Sequence, residues 1–225
     1  AVAGGKVVDI IALADYKVFN DILIPGFVDT SFVFATDQMV LAYDEFSADS
    51  QTINESNWMD VLLNGSGIKY ARSDHRLDPC GYRTLMLWQL AEEHYNLPGL
   101  YRRLESGWSN LYPKSLDVAV ALLEGKIDYG FEYFSVTRQM GFAYVQFPPA
   151  INLSDPRFAD QYAQARVVVE GSYPGLETEI TGAPIEFAVA IPKNSNQKEL
   201  AREFIEILTG PRGELVLEDN GLIPC

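Results

Sequence analysis

Histidine and cysteine are nearly absent, with two of each in 225 residues. His75 and His94 stand apart, and no second histidine or cysteine sits at metal-ligand spacing, which argues against the usual transition-metal sites. Bases are scarce too: 17 Lys and Arg face 31 Asp and Glu, for a formal net charge of −14. Nucleic acid needs a basic stripe and anionic lipid a basic face, so neither partner is expected. No stretch approaches the ~20 apolar residues of a membrane span, and no charged segment leads into an apolar core. G-x-S-x-G, P-loop and G-x-G-x-x-G patterns are all missing, so hydrolase, NTPase and dinucleotide chemistry lack positive support and no cofactor is expected. The sequence opens at Ala1-Val2-Ala3 with no initiator methionine, as a processed product or part of something longer would.

What is present is ordinary for a globular protein, 48% hydrophobic and 21% charged. The length suits one large domain or two lobes of about 100 residues each. The β-branched run 7–13 reads as a buried strand ending in Ala14-Asp15-Tyr16, and further strands are expected at 32–35, 39–43, 68–71, 127–133, 142–147, 166–169 and 185–191. Helices are expected from Tyr82 to about Tyr95, over 118–124 behind Ser115-Leu116-Asp117, after Asn194-Ser195-Asn196, and over 213–218; a turn-rich loop occupies 171–175. Strand and helix alternate, which predicts an α/β fold with largely parallel sheets. A polar crossing at 44–56 and a loop-rich stretch near 148–165 divide the chain into a first lobe, 1–56 plus 148–225, and a second, 57–147, with a ligand cleft expected between them.

The junction from Arg72 to Thr84 is the most informative stretch. Asp78 stands at an N-cap and Pro79 at the first helical position, so backbone N–H groups and a helix dipole converge on one spot, as they do in oxyanion sites. An ordinary capped helix satisfies the same pattern. Cys80 at a helix N-terminus is a conceivable nucleophile, though no histidine lies beside it. Tyr133, ending its strand, has a hydroxyl suited to an anion or a ring suited to packing.

Several blocks occur in a telling order: Ala12-Leu13-Ala14-Asp15-Tyr16, Ala35-Thr36-Asp37-Gln38-Met39, Arg72-Ser73-Asp74, Leu77-Asp78-Pro79-Cys80-Gly81-Tyr82-Arg83, Asp128-Tyr129-Gly130-Phe131-Glu132-Tyr133 and Ile191-Pro192-Lys193-Asn194. Together they resemble the tungstate/molybdate-binding proteins of ABC transporters, the archaeal-type branch of the class II periplasmic binding proteins. The resemblance implies an extracytoplasmic solute-binding protein, not an enzyme, whose two α/β lobes close on a small oxyanion and pass it to an ABC permease. The alternative is a ligand-sensing or degenerate binding module of the same fold.

Carried over residue by residue, the resemblance makes Asp78 a direct ligand of the oxyanion's metal centre. Pro79 and Cys80 join the binding loop through their backbone, and Tyr133 is a hydroxyl donor. The family's second carboxylate falls on Ser115, or on Asp117 if the alignment slips by two. Hexavalent tungsten or molybdenum prefers oxygen ligands, which is how a carboxylate faces a dianion without repelling it. The family's opening strand–helix segment, with its serine donors, precedes the match to Val7-Val8-Asp9 and is missing from these residues. An exported protein with two cysteines also suggests a Cys80–Cys225 disulfide.

Overall fold

The computed structural model describes residues 6–14, 16–107, 110–170 and 177–225. The chain divides into two compact units, Ala1–Asp37 with Ile185–Cys225, and Gln38–Pro184. In chain order the first unit supplies β1 (Ile11–Leu13), a π-helical turn at Phe19–Leu23, and β2 (Phe32–Asp37). The second unit follows with β3 (Met39–Tyr43), α1 (Trp58–Asn64), β4 (Tyr70–Ser73), α2 (Pro79–His94), α3 (Leu100–Gly107), β5 (Asn110–Tyr112) and α4 (Ser115–Leu123). It continues through β6 (Tyr129–Tyr133), α5 (Phe134–Met140), β7 (Ala143–Gln146), α6 (Ala159–Tyr162), β8 (Arg166–Glu170) and β9 (Glu177–Thr181). The chain then returns to the first unit as β10 (Ile185–Ala190), α7 (Lys198–Leu208), α8 (Pro211–Asp219) and β11 (Ile223–Pro224). Asp15 and the expected loop at 171–175 lie outside the described residues.

The lobe boundaries differ from those expected near 56 and 148, falling instead at 37/38 and 184/185. The reason is strand pairing. β3 is bonded on both sides within the second unit, to β6 and to β7, so residues 39–43 cannot belong with β2. β8 packs on α2 and pairs with β9, which places both strands in the same unit.

The α/β class holds, but the pairing is mixed where largely parallel sheets were expected. The first unit's sheet, ordered β1-β10-β2-β11, is antiparallel throughout. In the second unit, ordered β5-β4-β6-β3-β7, only β4 pairs in parallel, with β5 and β6. Strand–helix alternation predicts parallel neighbours only when each crossover returns to the same sheet. Here β3 enters from the other unit and runs against β6 and β7.

The four-stranded and five-stranded sheets each have two covered faces. In the first unit, Ala188 and Ala190 of β10 pack with Phe19, Leu23 and Val28, while Val189 and the partly buried Phe187 pack with Phe34, Ala35 and Leu217. That is the period-2 rule with apolar residues on both sides. In the second unit one face carries an aromatic core, where Trp58 meets Phe131 and Phe147, and Trp88 also meets Phe131. The other face is built from small residues, Ala42 and Ala71, which admit α4 through Val118, Ala119 and Leu122. Gly130 lies among them, and a Cβ there would come within 2.6 Å of Val118 Cγ1. α2 is buried along most of its circumference, since it packs against α3, β4, β6 and β8.

Candidate functional site

The site lies in the second unit, where β4 and β6 end and α2 and α4 begin. After Ser73 the chain turns tightly, with the Leu77 and Asp78 N–H groups both donating to the Asp74 carbonyl. The Asp74 carboxylate fixes this turn: it accepts the Arg76 N–H at 3.0 Å and both Nε and Nη2 of the Arg76 side chain, at 3.2 and 3.0 Å. Burial alone would push the Asp74 carboxyl up, but its bonds with Arg76 outweigh this and hold it below the ordinary value. Asp78 then adopts an extended conformation as N-cap of α2, with Pro79 at the first helical position, as the sequence predicts. Gly81 has a steric reason. A Cβ there would sit 2.5 Å from the Ser73 carbonyl oxygen and 2.6 Å from the His75 nitrogen, so only glycine lets the first turn of α2 lie on the β4 loop.

Three donors meet on the Asp78 carboxylate. Oδ1 accepts the Cys80 N–H at 2.8 Å and the Ser73 hydroxyl at 3.2 Å, and Oδ2 accepts the Ser115 N–H at 3.3 Å. Cys80 and Ser115 belong to the first turns of two different helices, and Ser73 is fully buried. The positive ends of two helix dipoles and a buried hydroxyl therefore address one anionic group. This is the donor chemistry of an oxyanion site, answered here by the protein's own carboxylate. Among the described residues no group of three or more His, Cys, Asp or Glu gathers as a cation site.

Around this point lie Cys80, Arg83, Glu132 and Tyr133. The Tyr133 hydroxyl accepts from Arg83 Nη1 at 2.7 Å, and because guanidinium can only donate, this bond does not use the phenol hydrogen. Burial pushes the Tyr133 phenol well above its ordinary value, with Arg83 opposing, so it stays a neutral donor at neutral pH. Glu132 is fully buried; its Oε2 accepts the Tyr133 N–H at 3.0 Å and lies 3.9 Å from Cys80 Sγ. The Cys80 thiol, fully buried, lies 3.5 Å from the Phe131 carbonyl oxygen; burial first, then Glu132 and Asp78, push it well above its ordinary value.

Asp78, Pro79, Cys80 and Ser115 thus come together at one spot, Ser115 through its backbone. Ser115 is the first residue of α4, after the N-cap Lys114, and is not the cap the sequence suggests. The chain reaches Lys114 already extended, and the helix starts at Ser115, three residues before the expected 118. Asp117 does not join the groups that meet on Asp78. It is exposed, and its Oδ2 accepts the Lys114 N–H at 3.0 Å, reaching back to the start of its own helix. The expected Cys80–Cys225 disulfide is not formed: both thiols are free, Cys80 enclosed within its unit and Cys225 exposed. The enclosure of the Cys80 sulfur also leaves it without the exposure of a reactive nucleophile.

Sequence reasoning missed Ser73, Arg83 and Glu132 as individuals. Ser73 and Arg83 lay inside the singled-out stretch. Glu132 follows Phe131 on a strand, and no local signal marks it as a buried carboxylate.

Residues 1–223 match the family model described as bacterial extracellular solute-binding protein. A solute-binding protein of Petrotoga mobilis is 37% identical over 219 residues, covering 96% of this chain and 68% of its own length. The molybdate/tungstate-binding protein WtpA of Thermococcus kodakarensis is 30% identical over 236 residues, covering 94% of this chain and 65% of its own length. This chain therefore spans about two thirds of the length of these relatives. Among solved structures, the periplasmic molybdate-binding protein of Azotobacter vinelandii superposes with a TM-score of 0.61 at 17% identity, covering 99% of this chain and 80% of its own. At that identity the likeness is one of fold.

Proposed function

We propose that this chain, which belongs to the bacterial extracellular solute-binding protein family, captures an oxyanion of the tungstate or molybdate type. It would do so outside the cytoplasm and hand the anion to the permease of an ABC transporter. The observation that carries this reading is the convergence of the Cys80 N–H, the Ser115 N–H and the Ser73 hydroxyl on one anionic group. In this reading the anion takes up those donors, the Tyr133 hydroxyl adds a neutral one, and Asp78 bonds the metal centre of the ligand. The relative named for molybdate and tungstate supports the choice of anion. No chemistry is done on the solute: the one thiol at the site is buried and held protonated. Among the described residues no helix is long and apolar enough to cross a membrane.

Equilibrium titration calorimetry with tungstate, molybdate, sulfate and phosphate tests the proposal. Saturable binding of tungstate and molybdate, with sulfate far weaker, is expected. Absence of heat with both metal oxyanions in a folded sample would rule the reading out.

A further inference from the structure

We infer that Arg83 is a positioning residue of the oxyanion site, acting on the solute through Tyr133 by fixing that hydroxyl as a donor. This role rests on the oxyanion-binding reading above.

A phenol hydroxyl turns about its C–O bond and can either donate or accept. Beside an anion only the donating orientation helps, because the other turns oxygen lone pairs toward negative charge. Arg83 removes the choice. Its guanidinium has donors and no acceptor, and Nη1 lies 2.7 Å from the Tyr133 oxygen. That oxygen accepts on the arginine side, which leaves its one hydrogen for an oxygen of the bound anion. A cation donating to the phenol oxygen also polarises the O–H and strengthens it as a donor. The Tyr133 phenol shows the same influence, since Arg83 opposes the upward push of burial on its pKa.

The guanidinium is itself held in place. Arg83 is only 7% exposed, on the second turn of α2, with its Cζ 5.7 Å from the Tyr82 ring centroid and so within cation–π range. One helix thus serves the site twice. Its first turn supplies the Cys80 N–H, and its second supplies the side chain that orients a hydroxyl from the end of β6. A donor ordered before the solute arrives spares the cost of ordering it on binding.

A double-mutant cycle tests the role. Arg83→Met keeps the length of the side chain and removes its charge and donors. Arg83→Gln takes its place if the loss of polarity unfolds the chain, because an amide can accept as well as donate and no longer forces the direction. Wild type, each single variant and the double variant with Tyr133→Phe are titrated with tungstate and molybdate, with thermal melts as the folding control. Each single change is expected to weaken binding about tenfold, the scale of one hydrogen bond to a charged group. The double variant is expected to lose about tenfold in total and not a hundredfold, because without the hydroxyl Arg83 has nothing to orient. A purely structural arginine would cost the same in either background. Losses that multiply in a folded double variant, or a folded Arg83 variant with wild-type affinity, would overturn the inference and leave the oxyanion reading standing. A wild type that binds neither anion would remove that reading and this role with it.

Discussion

The Asp78 carboxylate and the Ser115 backbone N–H, 37 residues apart in sequence, meet at 3.3 Å and join the first turns of two helices. Proline at the first helical position keeps helical geometry and lacks an N–H. Lys114 before it is already extended, at φ −137° and ψ 161°, which suits a residue preceding proline. Ser115→Pro should therefore delete one donor and little else. Helix content is expected to stay unchanged by circular dichroism while tungstate binding weakens about tenfold, the scale of one hydrogen bond to a charged group. Wild-type affinity in a folded variant would remove Ser115 from the site.

Gly81→Ala places a methyl group 2.5 Å from the Ser73 carbonyl oxygen and 2.7 Å from the Asp74 carbonyl carbon, both backbone atoms. The first turn of α2 must then move off the β4 loop, at about 1–3 kcal/mol of overpacking. A lower melting temperature and a loss of oxyanion affinity are expected together, because the displaced turn carries the Cys80 N–H. Alanine tolerated on both counts would show that this contact relaxes cheaply.

The two thiols should react very differently. A raised pKa lowers the thiolate fraction at any given pH, and burial adds a barrier to access. Cys80 is fully buried with its thiol held well above the ordinary range, whereas Cys225 is exposed, its thiol raised more modestly by partial burial and Glu186. Iodoacetamide at pH 8 is expected to modify Cys225 in the native protein and both residues after denaturation without reductant. Mass spectrometry that finds a Cys80–Cys225 disulfide would contradict the structure.

Asp74 gives a pH signature. Its folded pKa is depressed: burial opposes, but the Arg76 side chain and N–H prevail. On acidification the unfolded chain takes up this proton first, so the contribution is complete above the unfolded value near ~4 and is lost as pH falls through the lower folded value. Asp74→Asn is expected to be less stable than wild type by about 1 kcal/mol at pH 7, the net worth of the bonds it weakens. The gap should close as pH falls from about 4 downward, and denaturant melts across that range would reveal it. A gap that persists at low pH would mean the carboxylate charge is not its source.

Much of one wall of the site was legible. Asp78, Pro79 and Cys80 carry a helix start in consecutive letters, and their roles as N-cap, first helical residue and N–H donor follow from local backbone rules. Ser115 drew notice for its side chain, whereas what it brings to Asp78 is a backbone N–H that any residue but proline would supply. An acid at the third helical position has two uses that the sequence does not separate, and in the structure Asp117 accepts the Lys114 N–H. The disulfide rested on counting cysteines, and a count says nothing of enclosure.

The sequence by itself determined the α/β alternation, the start of α2 and the absence of any metal-ligand or nucleophile spacing, because each depends on neighbouring residues. Only the tertiary structure decided that β3 joins the second unit, that Glu132 is wholly buried beside Cys80, and that Ser73, Cys80 and Ser115 answer a single carboxylate. Those relationships are made by strand pairing and helix packing between segments far apart in the chain, where local propensity carries no information.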